Sequence, residues 1–397
     1  MRRICLWCAA GALLIAWACN DRLLAGGFDR FDQGVELLFD RGHVTVDVSY
    51  GVAVPNRKFD TVNGVRESVR LGPDFVTRPS INLKFTPFDN AACLAAYRQP
   101  FGSEAEYGDT WSQAGRLVSR MLQFEEIGLT CSYGMQAAGG YMRVIGGVTK
   151  DFATYQEEAL RVLPNATVIR PKVDLDGSAY GWRAGFAYEV PGKFIRASIM
   201  YYSPVDFFVK GALTQLPLGG NAFLPLVPVH AEASIPQTVE AALQFPIAPN
   251  WLNTVSVKWA DWSVWTRIPV VLSVNSGPLL AGRELSVYNA FFRDGWTISN
   301  TVSHRVNESL ALALRLSWDR SVATGWTEHS DSWSGNLAAI YRVNESLEVI
   351  GALGLSILAP GEINKMAQGG SYDATFGTGT LFTARGGFRY RFAGPKT

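Results

Sequence analysis

The stretch that most restricts the fold lies near the C-terminus: Thr380-Leu381-Phe382-Thr383-Ala384-Arg385-Gly386-Gly387-Phe388-Arg389-Tyr390-Arg391-Phe392. Side chains alternate faces along an extended strand. Phe382, Ala384, Phe388, Tyr390 and Phe392 therefore share one face, and Thr383, Arg385, Arg389 and Arg391 share the other. A soluble sandwich that buried the aromatic face would carry three arginines on its outside. In a membrane barrel the aromatics meet lipid and the arginines meet a watery interior.

The same alternation recurs along the chain. In His43-Val44-Thr45-Val46-Asp47-Val48-Ser49-Tyr50 the valines and Tyr50 oppose Thr45, Asp47 and Ser49. Leu310 to Asp319 turns leucines to one side, and Trp182, Ala184, Phe186, Tyr188 and Val190 alternate with Arg183, Gly185, Ala187 and Glu189. A soluble sheet would need a second layer over these faces, and no helical pattern is long enough to supply one. Past residue 25 no uncharged apolar run reaches the roughly 18 residues of a membrane helix. A mean hydropathy of +0.06 suits strands, which span with half their side chains toward water. The net charge of +1 over 397 residues leaves no nucleic-acid footprint.

The expected fold is all-β, a transmembrane antiparallel up-and-down barrel. Alternating segments fall near 43–55, 76–87, 91–100, 117–134, 138–153, 178–190 and 193–212, then near 234–246, 250–268, 286–304, 308–320, 331–343, 346–358 and 378–392. They make fourteen, an even number as single-chain outer-membrane barrels have. Short turns at Phe88-Asp89-Asn90, Ala137-Ala138-Gly139, Pro191-Gly192 and Ala248-Pro249-Asn250 alternate with long loops at 56–75, 101–116, 154–177, 213–233, 269–285, 321–330 and 359–377.

The N-terminus reads as a secretory signal over 1–25. Arg2-Arg3 precede an apolar run from Ile4 to Trp17, with cleavage after Ala18 or Ala25. Cys19 raises a lipoprotein alternative, against which Trp17 stands. The barrel is assigned to 43–392 and a tail to 393–397. Cys93 and Cys131 remain after the signal, either bridged across strands or both free. No metal or cofactor motif is present. Only His43, His230, His304 and His329 exist, and no Gly-x-Ser-x-Gly elbow accompanies them, so the chain is not expected to be an enzyme. Gly139-Gly140, Gly146-Gly147 and Gly386-Gly387 are candidates for bulges or a gap in the wall, or for simple packing positions.

One loop is chemically unusual. Leu213 to Val229 is almost wholly apolar and proline-rich, where an outer loop is ordinarily polar. It either buries itself over the barrel mouth or binds an apolar ligand. Leu216, Leu218, Phe223, Leu224, Leu226 and Val227, with Leu160, Val162 and Leu163 from the preceding loop, are the candidate groove. Arg143, Arg183, Lys258 and Arg315 are inward cations able to hold a carboxylate, or to pair with lumen carboxylates such as Asp47 and Glu189.

Several segments taken together resemble the FadL family of outer-membrane transporters for long-chain fatty acids and hydrocarbons. They are Phe39-Asp40-Arg41-Gly42, Ile235-Pro236-Gln237-Thr238-Val239-Glu240, Ala248-Pro249-Asn250-Trp251, Trp259-Ala260-Asp261-Trp262-Ser263, Phe292-Arg293-Asp294-Gly295-Trp296, Ser317-Trp318-Asp319-Arg320-Ser321 and Phe388-Arg389-Tyr390-Arg391-Phe392. The spacing around Arg385, Gly387, Tyr390 and Phe392 also resembles the C-terminal signal read by the outer-membrane assembly machinery. The resemblance implies a cofactor-free route for apolar cargo across the bacterial outer membrane: capture in a groove between outer loops, passage to a lumenal pocket, and exit sideways at a kinked strand. It implies long-chain fatty acids or other hydrophobic molecules as cargo, outer-membrane lipids as surroundings, and a monomer. The family hatch is longer and carries Asn-Pro-Ala, so residues 26–42 imply a reduced hatch. A general-diffusion porin or a structural barrel is the alternative.

Overall fold

The computed structural model describes residues 34–392. The expected signal, the first part of the hatch segment and the tail lie outside the described residues. Within them, fourteen antiparallel strands close into one barrel. The first six are β1 (Val44–Asn56), β2 (Val76–Phe88), β3 (Ala91–Glu106), β4 (Ser119–Ala137), β5 (Gly140–Glu158) and β6 (Lys172–Val190). The next four are each divided in two. They are β7 (Ile195–Tyr202 and Val205–Gly219), β8 (Ala222–Ile235 and Thr238–Ala248), β9 (Trp251–Ala260 and Arg267–Leu272) and β10 (Glu284–Asn289 and Gly295–Arg305). The last are β11 (Leu310–Arg320), β12 (Ser332–Arg342), β13 (Leu347–Leu358) and β14 (Gly379–Phe392).

Closure is made by β14 on β1, in register from Val44↔Phe392 to Asn56↔Thr380. Phe382, Phe388, Tyr390 and Phe392 lie exposed on the outside, while Arg389 is buried inside, its Nη2 donating to Asp47 Oδ2 at 2.7 Å. Leu316, Leu337 and Leu353, on three successive strands, are 57%, 64% and 57% exposed. So continuous an apolar exterior is a lipid-facing surface rather than a soluble one.

Strands β4, β5 and β6 run 19 residues each, well beyond the roughly 9–11 that cross a bilayer. Their excess stands at the loop end and raises a wall around the mouth. Several expected loops are therefore strand. The segment 213–233 is a long hairpin of β7 and β8, turned by Gly219 and Gly220 at φ 102° and 56°. β9 pairs with this hairpin at Val229 and His230, with Ser273 N–H donating to the Pro228 carbonyl just beyond, which leaves much of the hairpin a two-stranded ribbon, where strand prolines are tolerated. Parts of loops 56–75 and 359–377 combine in a four-stranded sheet of Phe59–Val62, Val65–Arg66, Gly361–Asn364 and Asp373–Phe376.

Cys93 and Cys131 face each other across β3 and β4 and are bridged. The glycine pairs make no gap. Gly139 shapes a turn, while Gly146-Gly147 and Gly386-Gly387 sit in unbroken ladders on both sides. Gly387 is required by space, since a Cβ there would lie 2.5 Å from the Val48 carbonyl oxygen. The breaks fall elsewhere. β3 shifts register between Arg98 and Phe101, around Pro100, and β7 is interrupted at Ser203-Pro204 and β8 at Pro236-Gln237. In β9 the interruption is the turn Trp262–Val264. Proline lacks the amide a ladder needs, which accounts for the first three.

At the turn end, Val35–Phe39 forms a single 3-10 turn inside the lumen. Val35, Leu37 and Leu38 pack with Leu94, Ile145 and Met200, so even a short hatch segment finds an apolar seat.

Candidate functional site

The lumen is layered, and one strand shows the order. Along β4 the inward residues from the loop end are Arg120, Leu122, Phe124 and Glu126; along β5 they are Glu157, Tyr155, Ala153 and Asp151. Cation and carboxylate come first, then two apolar rows, then charge again. The apolar rows form a chamber lined by Leu122, Phe124, Leu175, Phe207, Val209 and Trp265, with Ala153 and Ala231 as its small residues. Its free space is ≈ 50 Å³. That is well below the ~150 Å³ of an apolar cavity that takes benzene, so any ligand has to move side chains on its way in.

Beneath the chamber the lumen is filled by ion pairs. Glu126 accepts from Arg183 Nη2 at 2.6 Å and lies 3.3 Å from Arg98 Nε, with all three buried. Further toward the turn end, Arg143 and Arg196 share Glu189, and Arg391 joins Asp40 to Glu348. Phe39 of the hatch segment lies under the Arg196 guanidinium at 4.1 Å from its ring centroid.

Above the chamber is a polar mouth, a cavity of ≈ 510 Å³ bordered by four cations, Arg116, Arg120, Arg161 and Lys365, against two carboxylates, Glu157 and Glu328. Arg120 pairs with Glu157 at 3.1 Å and covers the Tyr288 ring at 4.6 Å, while Tyr155 donates to the same carboxylate at 2.5 Å. Burial lowers Lys365 to about 8, with Glu328 acting in the opposite sense. Burial would raise the Glu328 carboxyl, but His329, Arg120 and Lys365 together hold it below its ordinary value. Beside the mouth, and sharing Arg116, Glu157 and Arg161 with it, runs a cavity of ≈ 500 Å³. Leu213, Leu216 and Leu218 of the hairpin form one wall of it and Pro278 and Leu279 the other.

The wall has a seam. β2 pairs with β3 from Ser80↔Arg98 toward the turn end, but Val76–Pro79 have no partner on β3, which beyond Pro100 pairs with β4 alone. A cavity of ≈ 130 Å³ reaches the inner side of the seam at Val76, Arg78, Gly102 and Glu104, and extends from there along Ala53 of β1, Asp319 of β11, Leu358 of β13 and Leu381 of β14. Ser103 lines both this cavity and the chamber.

The residues singled out from the sequence divide accordingly. Leu216 and Leu218 line the groove, Val227 is wholly buried beside it, and Leu224 packs on the same cluster. Phe223, Leu226 and Val162 are exposed, at 38%, 58% and 66%. Leu163 is buried, but Leu160 packs toward a separate cluster around Trp111 and Phe376. Of the cations, Arg183, Lys258 and Arg315 are buried in the ion-paired lumen. Lys258 stands opposite Glu240, and Arg315 donates to Ser299 Oγ at 2.8 Å. Arg143 is held by Glu189. None of the four borders the mouth. Arg120 does, and its alternation with Leu122 and Phe124 is the sequence signal that places it on the inward face.

The family model for outer membrane protein transport proteins (OMPP1/FadL/TodX) matches residues 125–330, more than half of the chain. No curated protein is a recognisable sequence relative. Among solved structures, a Pseudomonas aeruginosa FadL homologue is 13% identical, with 97% of this chain and 98% of that one covered at a TM-score of 0.72. The Pseudomonas putida toluene transporter TodX is 14% identical, with coverage of 94% and 98% and a TM-score of 0.66. The Ralstonia pickettii toluene transporter TbuX is 14% identical, with coverage of 96% and 98% and a TM-score of 0.65. At such identities these likenesses speak for the fold.

Proposed function

The chain belongs to the OMPP1/FadL/TodX family of outer-membrane transport proteins, which carry hydrophobic compounds, and on that premise we propose that its cargo is a long-chain fatty acid. The observation that carries this reading is the order of layers: a mouth with cations in excess opens directly on an apolar chamber, and Arg120 borders both. A fatty acid matches that order, with its carboxylate against Arg120, Arg116 and Lys365 and its tail among Leu122, Phe124 and Phe207. Capture begins on the hairpin, at Leu216 and Leu218. The ion-paired rows below offer an alkyl chain no favourable surface, because entering would separate buried charges. Exit is therefore sideways, through the seam between Val76–Pro79 and the far half of β3. A toluene-like cargo would use the chamber without needing the cations.

The test is binding of laurate against a neutral alkane of equal length by the purified barrel. Saturable binding of laurate that Arg120→Gln weakens roughly tenfold, as loss of a charge-assisted contact implies, supports the reading. Equal affinity for the alkane would remove the carboxylate from it. Liposome swelling in small sugars without fatty-acid binding would favour a general-diffusion porin.

A further inference from the structure

The breaks in β3 and β9 lie on different sectors of the wall, yet one aromatic contact joins them across the lumen. Phe101 is the residue at which β3 resumes its ladder with β4 after Pro100, and it borders the stretch that has left β2. Trp262 opens the turn Trp262–Val264 that interrupts β9 and is 1% exposed. Their rings meet edge to face at 5.9 Å. Each is tied to the chamber's lining. Phe101 packs on Phe124 at 6.4 Å, and Trp262 on Trp265 at 5.8 Å. Around the Trp262 turn the register between β8 and β9 changes, from Thr238↔Ala260 on one side to His230↔Val271 on the other. The ladder is reduced there to single backbone bonds, Asp261 N–H to the Gln237 carbonyl at 3.0 Å and Phe292 N–H to the Trp265 carbonyl at 2.9 Å, and side chains add to them: Gln237 donates to Asp261 Oδ2 at 3.1 Å, and the Trp265 indole donates to the Ser234 carbonyl.

We propose that Phe101 and Trp262 form a latch through which filling of the chamber opens the seam beside β3. The chamber as it stands is too small for an alkyl tail, so a tail entering between Phe124 and Trp265 has to displace the rings that bear on Phe101 and Trp262. Two segments can yield, because neither is held by a full ladder: the turn at Trp262 and the half of β3 beyond Pro100 on its β2 side. The Cys93–Cys131 bridge and the resumed β4 ladder keep β3 joined to β4, so yielding widens the β2 side, where the seam cavity lies. The latch rests on the side-exit reading for its purpose but not for its operation.

The test uses the whole barrel in lipid nanodiscs carrying Glu104→Cys at the seam, with laurate as the ligand and a maleimide as the reporter. Laurate is expected to speed labelling. In Trp262→Ala, labelling without laurate is expected to rise roughly tenfold, toward the laurate-saturated rate, as when a minor open state becomes the major one. Trp262→Leu serves the same purpose if the alanine variant does not assemble, judged by heat-modifiable gel migration. Labelling of a folded Trp262 variant at the unsubstituted rate without laurate overturns the latch. Uptake into vesicles is read separately. Fast labelling with unchanged uptake keeps the latch and removes the side exit, so the two readings fail independently.

Discussion

The two halves of the lumen are made by the same strands and differ in what those strands turn inward. At the loop end, Leu122, Phe124, Ala153 and Leu175 face one another, and the strands around them are broken at Pro100, Pro204, Pro236 and Trp262. Toward the turn end, Glu126, Arg183, Arg98 and Asp47 with Arg389 face one another, and the ladders of β1 with β14, β4 with β5 and β5 with β6 run without interruption. The difference separates sealing from transport. A charged lumen whose groups are paired is closed to apolar and polar solutes alike, since either would have to replace satisfied partners. An apolar lumen with incomplete ladders can reshape itself, because fewer backbone hydrogen bonds resist.

Unpairing the sealed half has the largest expected effect. Glu126→Gln leaves Arg98 and Arg183 without their shared carboxylate and is expected to cost ~3–5 kcal/mol of stability. Denaturant unfolding of the folded barrel measures it, and uptake of laurate per folded molecule is expected to stay unchanged. Filling the apolar half has the next largest effect. Ala231→Trp, in the chamber wall, is expected to lower uptake roughly tenfold, because overpacking costs ~1–3 kcal/mol and 1.4 kcal/mol is tenfold. Laurate capture at the mouth should change little in that variant.

A smaller effect lies in pH. Lys365 titrates near pH 8 because burial disfavours its charge, so the cation is present below that pH and is lost as pH rises through it. A bound carboxylate favours the charged form and moves the loss to higher pH. Laurate affinity is therefore expected to fall about two- to fivefold on going above the titration, the magnitude of one ion pair partly screened by the water of the mouth. Lys365→Met should flatten the profile, and affinity for a neutral alkane should show none. The smallest effect separates the two faces of the hairpin. Leu226→Ser, on the exposed face, is expected to leave capture within about twofold, whereas Leu216→Ser in the groove should weaken it more.

The barrel itself was legible because period-two alternation is strong where one face meets lipid and the other is paired charge. The run Phe388-Arg389-Tyr390-Arg391-Phe392 lies in the structure as its parity requires. The hairpin at 213–233 was not legible as strand. Pro217, Pro225 and Pro228 signal a loop wherever a full ladder is assumed, and this ribbon has little ladder on its outer sides. The cations follow the other of their two readings. Arg143, Arg183, Lys258 and Arg315 do face inward, but facing inward does not reveal height: Glu189 and Glu126 pair with the first two, Glu240 stands opposite Lys258, and Arg315 donates to Ser299. Pro100 was the available sign of the seam, since a proline inside a wall strand costs a ladder bond.

On the proposed route, apolar cargo occupies the loop-end lumen and leaves through the wall without crossing the ion-paired rows. Photocrosslinking with laurate bearing a terminal diazirine, mapped by mass spectrometry, tests it most directly. Adducts are expected on chamber residues such as Phe124, Leu175 and Phe207 and on Val76 and Gly102 at the seam. Adducts concentrated at Arg183, Arg315 or Phe39 would show that the tail passes through the sealed half, and would contradict it.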